Sequence, residues 1–277
     1  MNELSHHRAH VNGVDIHYVE AGRGPLVVLL HGFPEFWFSW RNQIPALAAA
    51  GFRVVAPDLR GYNESSKPPA VSDYRLTAIA TDIAALIEHL GAPCVLVGHD
   101  WGGATAWLVA MMRPELLRRL VVINIPHPAP LLRELKRSTR QKLKMTYQLF
   151  FQPPLLPELL MPLVLPLLLR RAGRFRREEI REYRPAWRSF AARRAMANYY
   201  RAIRKYRREI RPLMRRIDVP TLLIWGEREP VFLRETSEDF DEHVPNLRIA
   251  RIAGAGHFVQ TDAPEIVSEL LVEFAAV

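Results

Sequence analysis

The stretch Val95-Leu96-Val97-Gly98-His99-Asp100-Trp101-Gly102-Gly103 constrains this chain more than any other part of it. A short apolar run enters it, an apolar segment of helical length leaves it, and glycines stand on both sides of a single Asp. The pattern reads as a strand turning sharply into a helix, with a side chain held at the apex. This is a nucleophile elbow with Asp in the place more often taken by Ser. Glycines are needed there because Cβ atoms on the neighbours would collide in so tight a turn. The turn also brings the Asp to the amino end of the helix, where unpaired backbone N–H groups favour developing negative charge.

Such an elbow needs a parallel sheet, and the rest of the chain supplies the rhythm of one. Residues 6–11 and 15–20 read as a hairpin around Asn12-Gly13. Residues 26–30 are continuously apolar, as in a strand buried on both faces. A helical stretch over 40–50 closes at Gly51, and a strand follows at 52–56. Apolar residues at 76, 79, 80, 83, 86, 87 and 90 predict a helix over 76–90, with Gly91 as its C-cap. A strand at 94–97, a helix at 102–112 and a strand at 120–125 come next. Strands at 221–225 and 247–252 and a helix at 264–275 close the chain. The alternation predicts an α/β fold with a mostly parallel central sheet flanked by helices.

Between Pro126 and Pro212 the strand signal disappears. We expect a discontinuous core domain, residues 1–126 and 213–277, with a helical cap at 127–212 inserted after the sixth strand. Charge follows the same division. Residues 131–216 hold 24 Lys and Arg against 6 Asp and Glu, while the remainder holds 14 against 23. A basic insert of this kind suits acidic lipid or an acidic partner, or simply solvated helix faces. Nothing in it resembles a nucleic-acid-binding motif, so nucleic acid is not an expected partner.

Residues 153–169 are apolar and rich in proline, with Glu158 the only charge, and Arg170 and Arg171 follow. The stretch is too short and too interrupted by proline to read as a transmembrane helix. It reads as a segment packed over the site or as an interfacial contact with a membrane. Cys94 is the only cysteine, which excludes an internal disulfide and a cysteine-based zinc site. The first ten residues lack an apolar core, so the expected location is cytoplasmic.

Partners for Asp100 occur in the order an elbow requires. His257 lies in the glycine-rich Gly254-Ala255-Gly256-His257-Phe258, directly after the last strand. Glu229 follows the strand-end Gly226 and suits the acid that orients the imidazole; Glu227 competes with it. His31-Gly32-Phe33-Pro34-Glu35 follows an apolar strand, where the N–H groups of Phe33 and Trp101 suit an oxyanion hole.

These motifs, with Phe36-Trp37 and Asp58-Leu59-Arg60-Gly61-Tyr62, resemble those of the α/β-hydrolase-fold epoxide hydrolases, through nearly the whole predicted core. The resemblance implies hydrolysis of a lipophilic epoxide to a vicinal diol. Asp100 would form an ester and His257 would activate water to release it. It also implies two cap tyrosines holding the epoxide oxygen. The segments around Met145-Thr146-Tyr147-Gln148 and Asn198-Tyr199-Tyr200-Arg201 are similar to the family's, which assigns Tyr147 and Tyr200, with Tyr199 as competitor for the second. His31, Pro34, Trp37, Phe151 and Phe258 would line the substrate. The family's orienting acid is commonly Asp where this chain has Glu229; some relatives carry it after the sixth strand, where this chain has the uncharged Asn124. No metal or organic cofactor is implied, and the oligomeric state stays open between monomer and homodimer.

Two other readings use the same scaffold. Haloalkane and haloacid dehalogenases also attack with Asp, but the former usually carry Asn where Phe33 stands. The fluoroacetate enzymes have Arg where Trp101 stands. A non-catalytic or membrane-associated protein is the second, and the set Asp100, Glu229 and His257 argues against a purely structural role.

Overall fold

In the computed structural model, which describes residues 4–276, Asn12 and Gly13 both take positive φ, 48° and 74°. That is the turn that matches the twist of a tight hairpin, here between β1 (Ser5–Val11) and β2 (Val14–Ala21). The chain continues through β3 (Leu26–Leu30), α1 (Gln43–Ala49), β4 (Arg53–Pro57) and α2 (Leu76–Leu90). Gly91, at φ 92°, ends α2 as the sequence predicts. Then come β5 (Cys94–His99), α3 (Trp101–Met112) and β6 (Leu117–Ile123). A purely helical insert follows: α4 (Pro128–Arg137), α5 (Thr139–Lys144), α6 (Leu156–Ala172), α7 (Arg177–Tyr183) and α8 (Phe190–Tyr206). The chain returns with β7 (Thr221–Gly226), β8 (Leu247–Ile252), α9 (Val259–Asp262) and α10 (Pro264–Ala276).

The strands form one eight-stranded sheet in the order β1-β2-β4-β3-β5-β6-β7-β8. From β4 to β8 every pairing is parallel; the hairpin and its junction with β4 are antiparallel. Parallel neighbours require crossovers, and the crossover helices cover both faces. Side chains alternate accordingly. Val28, Leu30 and Leu96 point to a core shared with α2 and α3, which contribute Ile83, Leu86 and Trp107. Val27, Leu29, Val95 and Val97 point to a second core closed by Leu47 of α1 and by Val267 and Leu271 of α10. At the C-terminal ends of β3, β5, β6, β7 and β8 the chain leaves the sheet in loops, and those loops carry His31 and Phe33, Asp100, Asn124, Glu229 and His257 in turn.

The reading of residues 153–169 as interrupted by proline needs correction, because α6 runs through Pro162 and Pro166 unbroken. Pro157 sits in its first turn, where a missing N–H costs nothing. Pro162 cannot bond the carbonyl four residues back, but Arg193 Nε donates to that Glu158 carbonyl at 2.6 Å. Arg201 also meets the buried Glu158 carboxylate at 2.7 Å. Tertiary partners thus replace what the proline removes. Among the described residues, no single helix is long and apolar enough to cross a membrane.

The glycines around Asp100 are sterically required. A Cβ on Gly98 would lie 2.4 Å from the Gly102 carbonyl oxygen, and one on Gly102 would lie 2.3 Å from that of Leu30. Gly98→Ala and Gly102→Ala are each expected to lose about 2–3 kcal/mol of stability. Gly51→Ala, at φ 88° but with open space around it, should lose only about 1 kcal/mol. Urea denaturation at constant m-value checks this; equal losses at all three positions would reject the steric account.

Candidate active site

Asp100 sits at the apex between β5 and α3 with φ 50° and ψ −117°, a conformation rare for a residue with a Cβ. Close packing holds it there, since a Cβ on Gly32 would meet the Asp100 Cβ at 2.4 Å. The Phe33 N–H donates to Asp100 Oδ1 at 2.8 Å. Trp101 opens α3, so its N–H belongs to the first turn, which has no intrahelical acceptor.

The loop after β8 brings His257 to Asp100, with Nε2 3.5 Å from Oδ2. On the other side of the ring, Nδ1 is 2.7 Å from Glu229 Oε2. Glu229 Oε1 accepts the Val231 N–H at 2.6 Å, so its longer side chain is anchored while still reaching the imidazole. Glu227 is exposed and lies instead near Arg234, at 3.9 Å. Of the two, it is Glu229 that meets His257.

Electrostatics follow from this line of charges. Burial works against a charged His257, but Glu229 and Asp100 on its two sides outweigh it and raise its pKa well above the ordinary imidazole value. Burial likewise pushes the Asp100 carboxyl up, yet the His257 hydrogen bond and charge, with the Phe33 N–H, bring it below the ordinary value. Each member of the pair thus favours the charged form of the other.

Tyr147 lies in the insert between α5 and α6, and Tyr200 lies in α8; their ring centroids are 6.0 Å apart. Tyr147 keeps 38% of its surface accessible because it lines an open cavity. Tyr200 is buried beside Trp101 at 5.2 Å and stacked on Phe151 at 4.0 Å. Burial raises both phenol pKa values, and the negative charge of Asp100 adds to the effect, so both stay protonated at neutral pH. The competitor Tyr199 is already committed, because its hydroxyl donates to the Arg60 carbonyl at 2.7 Å.

A cavity of about 530 Å³ is bounded by Asp100 and Trp101 at the sheet and by Leu131, Met145, Tyr147 and Ile203 of the insert. The expectation that His31, Pro34, Trp37, Phe151 and Phe258 line the substrate needs correction, since none of the five borders this cavity. His31 is buried and spends both ring nitrogens on the chain: Nδ1 donates to the Gly32 carbonyl at 2.9 Å, and Nε2 accepts the Leu59 N–H at 3.0 Å. The Pro34 carbonyl accepts the Trp187 indole N–H at 2.7 Å and so docks the insert. Trp37 packs on Phe36, Phe38 and His6. Phe151 supports Tyr200, and Phe258 packs behind His257 at 5.2 Å.

Sequence reasoning missed a buried polar layer behind the site. His99 Nε2 donates to the His257 carbonyl at 2.8 Å, and its Nδ1 lies 3.3 Å from Glu35 Oε2. Tyr183 and Gln260 also donate to Glu35, each at 3.2 Å. Asn124 accepts the Gly226 N–H at 2.8 Å and donates to the carbonyls of Gly256 and His257. Glu35 and His99 stand inside the motifs quoted above, but no spacing rule pairs them. Among the described residues His6, His17 and Glu64 have metal-ligand spacing. There His17 bonds Asp58 at 2.7 Å and Glu64 pairs with Arg8 at 2.6 Å, so protein partners account for the cluster.

The family model described as alpha/beta hydrolase fold matches residues 25–264. The AB hydrolase superfamily protein YfhM of Bacillus subtilis is 39% identical over 95% of either chain. Human epoxide hydrolase 4 is also 39% identical, over 95% of this chain and 76% of its own. Among solved structures, an epoxide hydrolase from Vigna radiata superposes with a TM-score of 0.86 at 30% identity, covering 98% of both chains. Epoxide hydrolase I of potato (Solanum tuberosum) gives 0.87 at 28% identity, covering 98% of this chain and 99% of that one.

Because Asp100 and Glu229 jointly hold the His257 proton, Asp100→Asn or Glu229→Gln should each lower the His257 pKa. The imidazole would then lose its proton at a lower pH than in the wild type. Imidazole NMR across a pH series measures this directly; an unmoved titration in both variants would show that no ion pair operates.

Proposed function

The chain belongs to the α/β-hydrolase-fold family and, within it, to the epoxide hydrolases, and from that premise we propose that Asp100 opens the epoxide as a covalent nucleophile. The observation that carries this reading is the continuous line Asp100–His257–Glu229, at 3.5 and 2.7 Å, facing a cavity that Tyr147 also lines.

Ionised Asp100 attacks a ring carbon by displacement, for which a carboxylate suits an sp³ centre. The C–O bond breaks, and the departing oxygen takes a proton from Tyr147 or Tyr200. Phenols held neutral by burial can donate it, where bare alkoxide would be a poor leaving group. The product of this step is an ester on Asp100, whose negative charge is gone. His257 then faces one carboxylate instead of two, its proton passes on to restore the phenol that gave one up, and the neutral imidazole becomes a base for water. Water attacks the ester carboxyl carbon, the N–H groups of Phe33 and Trp101 stabilise the tetrahedral oxyanion, and the vicinal diol leaves. Glu229 orients the ring and balances its charge throughout.

In this proposal residues 1–126 and 213–277 form the catalytic body and residues 127–212 the cap, which brings the tyrosines and most of the cavity wall. The apolar wall, with Leu131, Met145 and Ile203, suits a lipophilic epoxide. The lone thiol, Cys94, is buried in β5, as suits a reducing compartment, and we place the enzyme in the cytoplasm.

The purified protein should form diols from styrene oxide, a disubstituted aryl epoxide or a fatty-acid epoxide, without releasing halide from bromoalkanes. His257→Gln should accumulate the ester, seen by intact mass spectrometry as the added substrate mass, with turnover down at least ~10²-fold. Asp100→Ala should show neither adduct nor turnover; a substrate adduct that survives this change would defeat the covalent mechanism. The Tyr147→Phe/Tyr200→Phe double variant should slow ester formation by roughly 10²-fold or more in single-turnover experiments. Normal ester formation in it would remove both tyrosines from the mechanism.

A further inference from the structure

Helix α6 buries one stripe, Pro157, Met161, Leu165 and Leu169, at a spacing of four, as an amphipathic surface helix does. The face turned to solvent should then be polar. Instead it presents Leu159, Leu160, Leu163, Val164, Leu167 and Leu168, with Leu159 64% and Leu163 70% exposed. Among the described residues, eight of the fifteen large hydrophobic side chains that stand exposed lie between Leu155 and Leu168, so this is a patch and not the usual scatter.

The charge around the patch is predominantly basic. The only carboxylate of α6, Glu158, is buried and neutralised by Arg201. Arg170 and Arg171 end the helix exposed, and exposed Arg174 and Arg177 follow. Residues 131–216 carry 24 basic against 6 acidic side chains, while the rest of the chain is acidic in balance. A second copy of the chain is a poor occupant, since two such inserts would repel each other. An anionic bilayer suits it, and the opposite charge of the body would orient the molecule with the insert towards the membrane.

We infer that this leucine face docks on an anionic membrane surface. The leucines enter the boundary between headgroups and acyl chains, and the arginines meet the phosphates. The dimensions of α6 alone do not suit a crossing of the bilayer. The 17 residues of α6 span about 25 Å, against a hydrocarbon core of about 30 Å, and the inner stripe is packed on the protein. The location also has a use. Thr146, Leu149 and Gln152 border the cavity, and the chain passes from Gln152 into α6 within four residues. A lipophilic substrate dissolved in the bilayer would meet the protein beside its own cavity.

Flotation with vesicles tests the inference on the whole enzyme. Wild-type protein should bind vesicles containing roughly one-third phosphatidylglycerol at low salt and dissociate at high salt. Binding to pure phosphatidylcholine should be at least ~10-fold weaker. The exposed-face variant Leu159→Ser/Leu163→Ser/Leu167→Ser should bind the anionic vesicles at least ~10-fold more weakly, as should Arg170→Glu/Arg171→Glu. Both variants should keep wild-type turnover of a water-soluble epoxide, because none of these side chains borders the cavity. No binding to anionic vesicles at low salt overturns the inference, and so does equal binding by the wild type and the leucine variant. A dimeric wild type that the leucine variant turns into a monomer, without vesicle binding by either, assigns the face to a second copy and equally overturns it.

Discussion

Asp100 can stand where it does only because three segments of backbone come closer together than side chains allow. Gly98, Gly102 and Gly32 leave no room for a Cβ, and Gly103 would strike Ile125 at 2.3 Å. The compression forces Asp100 to a positive φ that β5 and α3, buried in the centre of the sheet, are rigid enough to maintain. The strain has a geometric result. The carboxylate projects beyond the sheet at the start of a helix and beside the Phe33 N–H, where negative charge is stabilised by groups already in place. Everything else at the site is positioned relative to that carboxylate.

The loops that approach it are held by buried polar ties. Asn124 links the ends of β6 and β7 to the His257 loop. His99, Glu35 and Gln260 tie the β5 end, the segment after β3 and α9 together. The segment after β4 is pinned twice: the Leu59 N–H donates to His31, and Arg60 forms a two-point pair with buried Asp82 at 2.6 and 2.7 Å. In an interior of low dielectric, such groups are costly when unpaired and directional when paired. They convert loops, ordinarily the most mobile parts of a fold, into a frame that fixes the distances at the site. The same frame explains how the long Glu229 side chain meets His257: the Val231 and Phe232 N–H groups fasten one oxygen and leave the other to the imidazole.

The insert contributes a different kind of structure. It supplies apolar wall and Tyr147 to the cavity, yet α6 turns leucines outward and keeps its prolines inside a regular helix. Arg193 and Arg201 from α8 make that helix self-consistent, one by replacing a missing N–H at the Glu158 carbonyl and one by pairing the Glu158 carboxylate. A helix stabilised from its inner side leaves its outer side free of any requirement from folding. The leucine face thus reflects something other than the needs of the core.

By itself the sequence determined the elements and their order. The period of apolar residues in α2, the continuous apolar runs of β3 and β5, the Asn12-Gly13 turn and the glycines beside Asp100 are local signals, because sterics and solvent act on them within a few residues. The α/β architecture, the insertion between β6 and β7 and the membership of Asp100 in an elbow were legible for that reason. Only the tertiary structure shows how residues alike in type and near in sequence are spent: Glu229 and not Glu227 meets His257, Tyr199 is tied to the Arg60 carbonyl, and His31 is a tie in place of a lining residue. It also turned the proline-rich stretch into one helix and assembled the layer of Glu35, His99 and Asn124. Those outcomes depend on distances between segments far apart in the chain, where a hydrogen bond is present or absent within half an ångström. No period or motif in a single sequence records that separation.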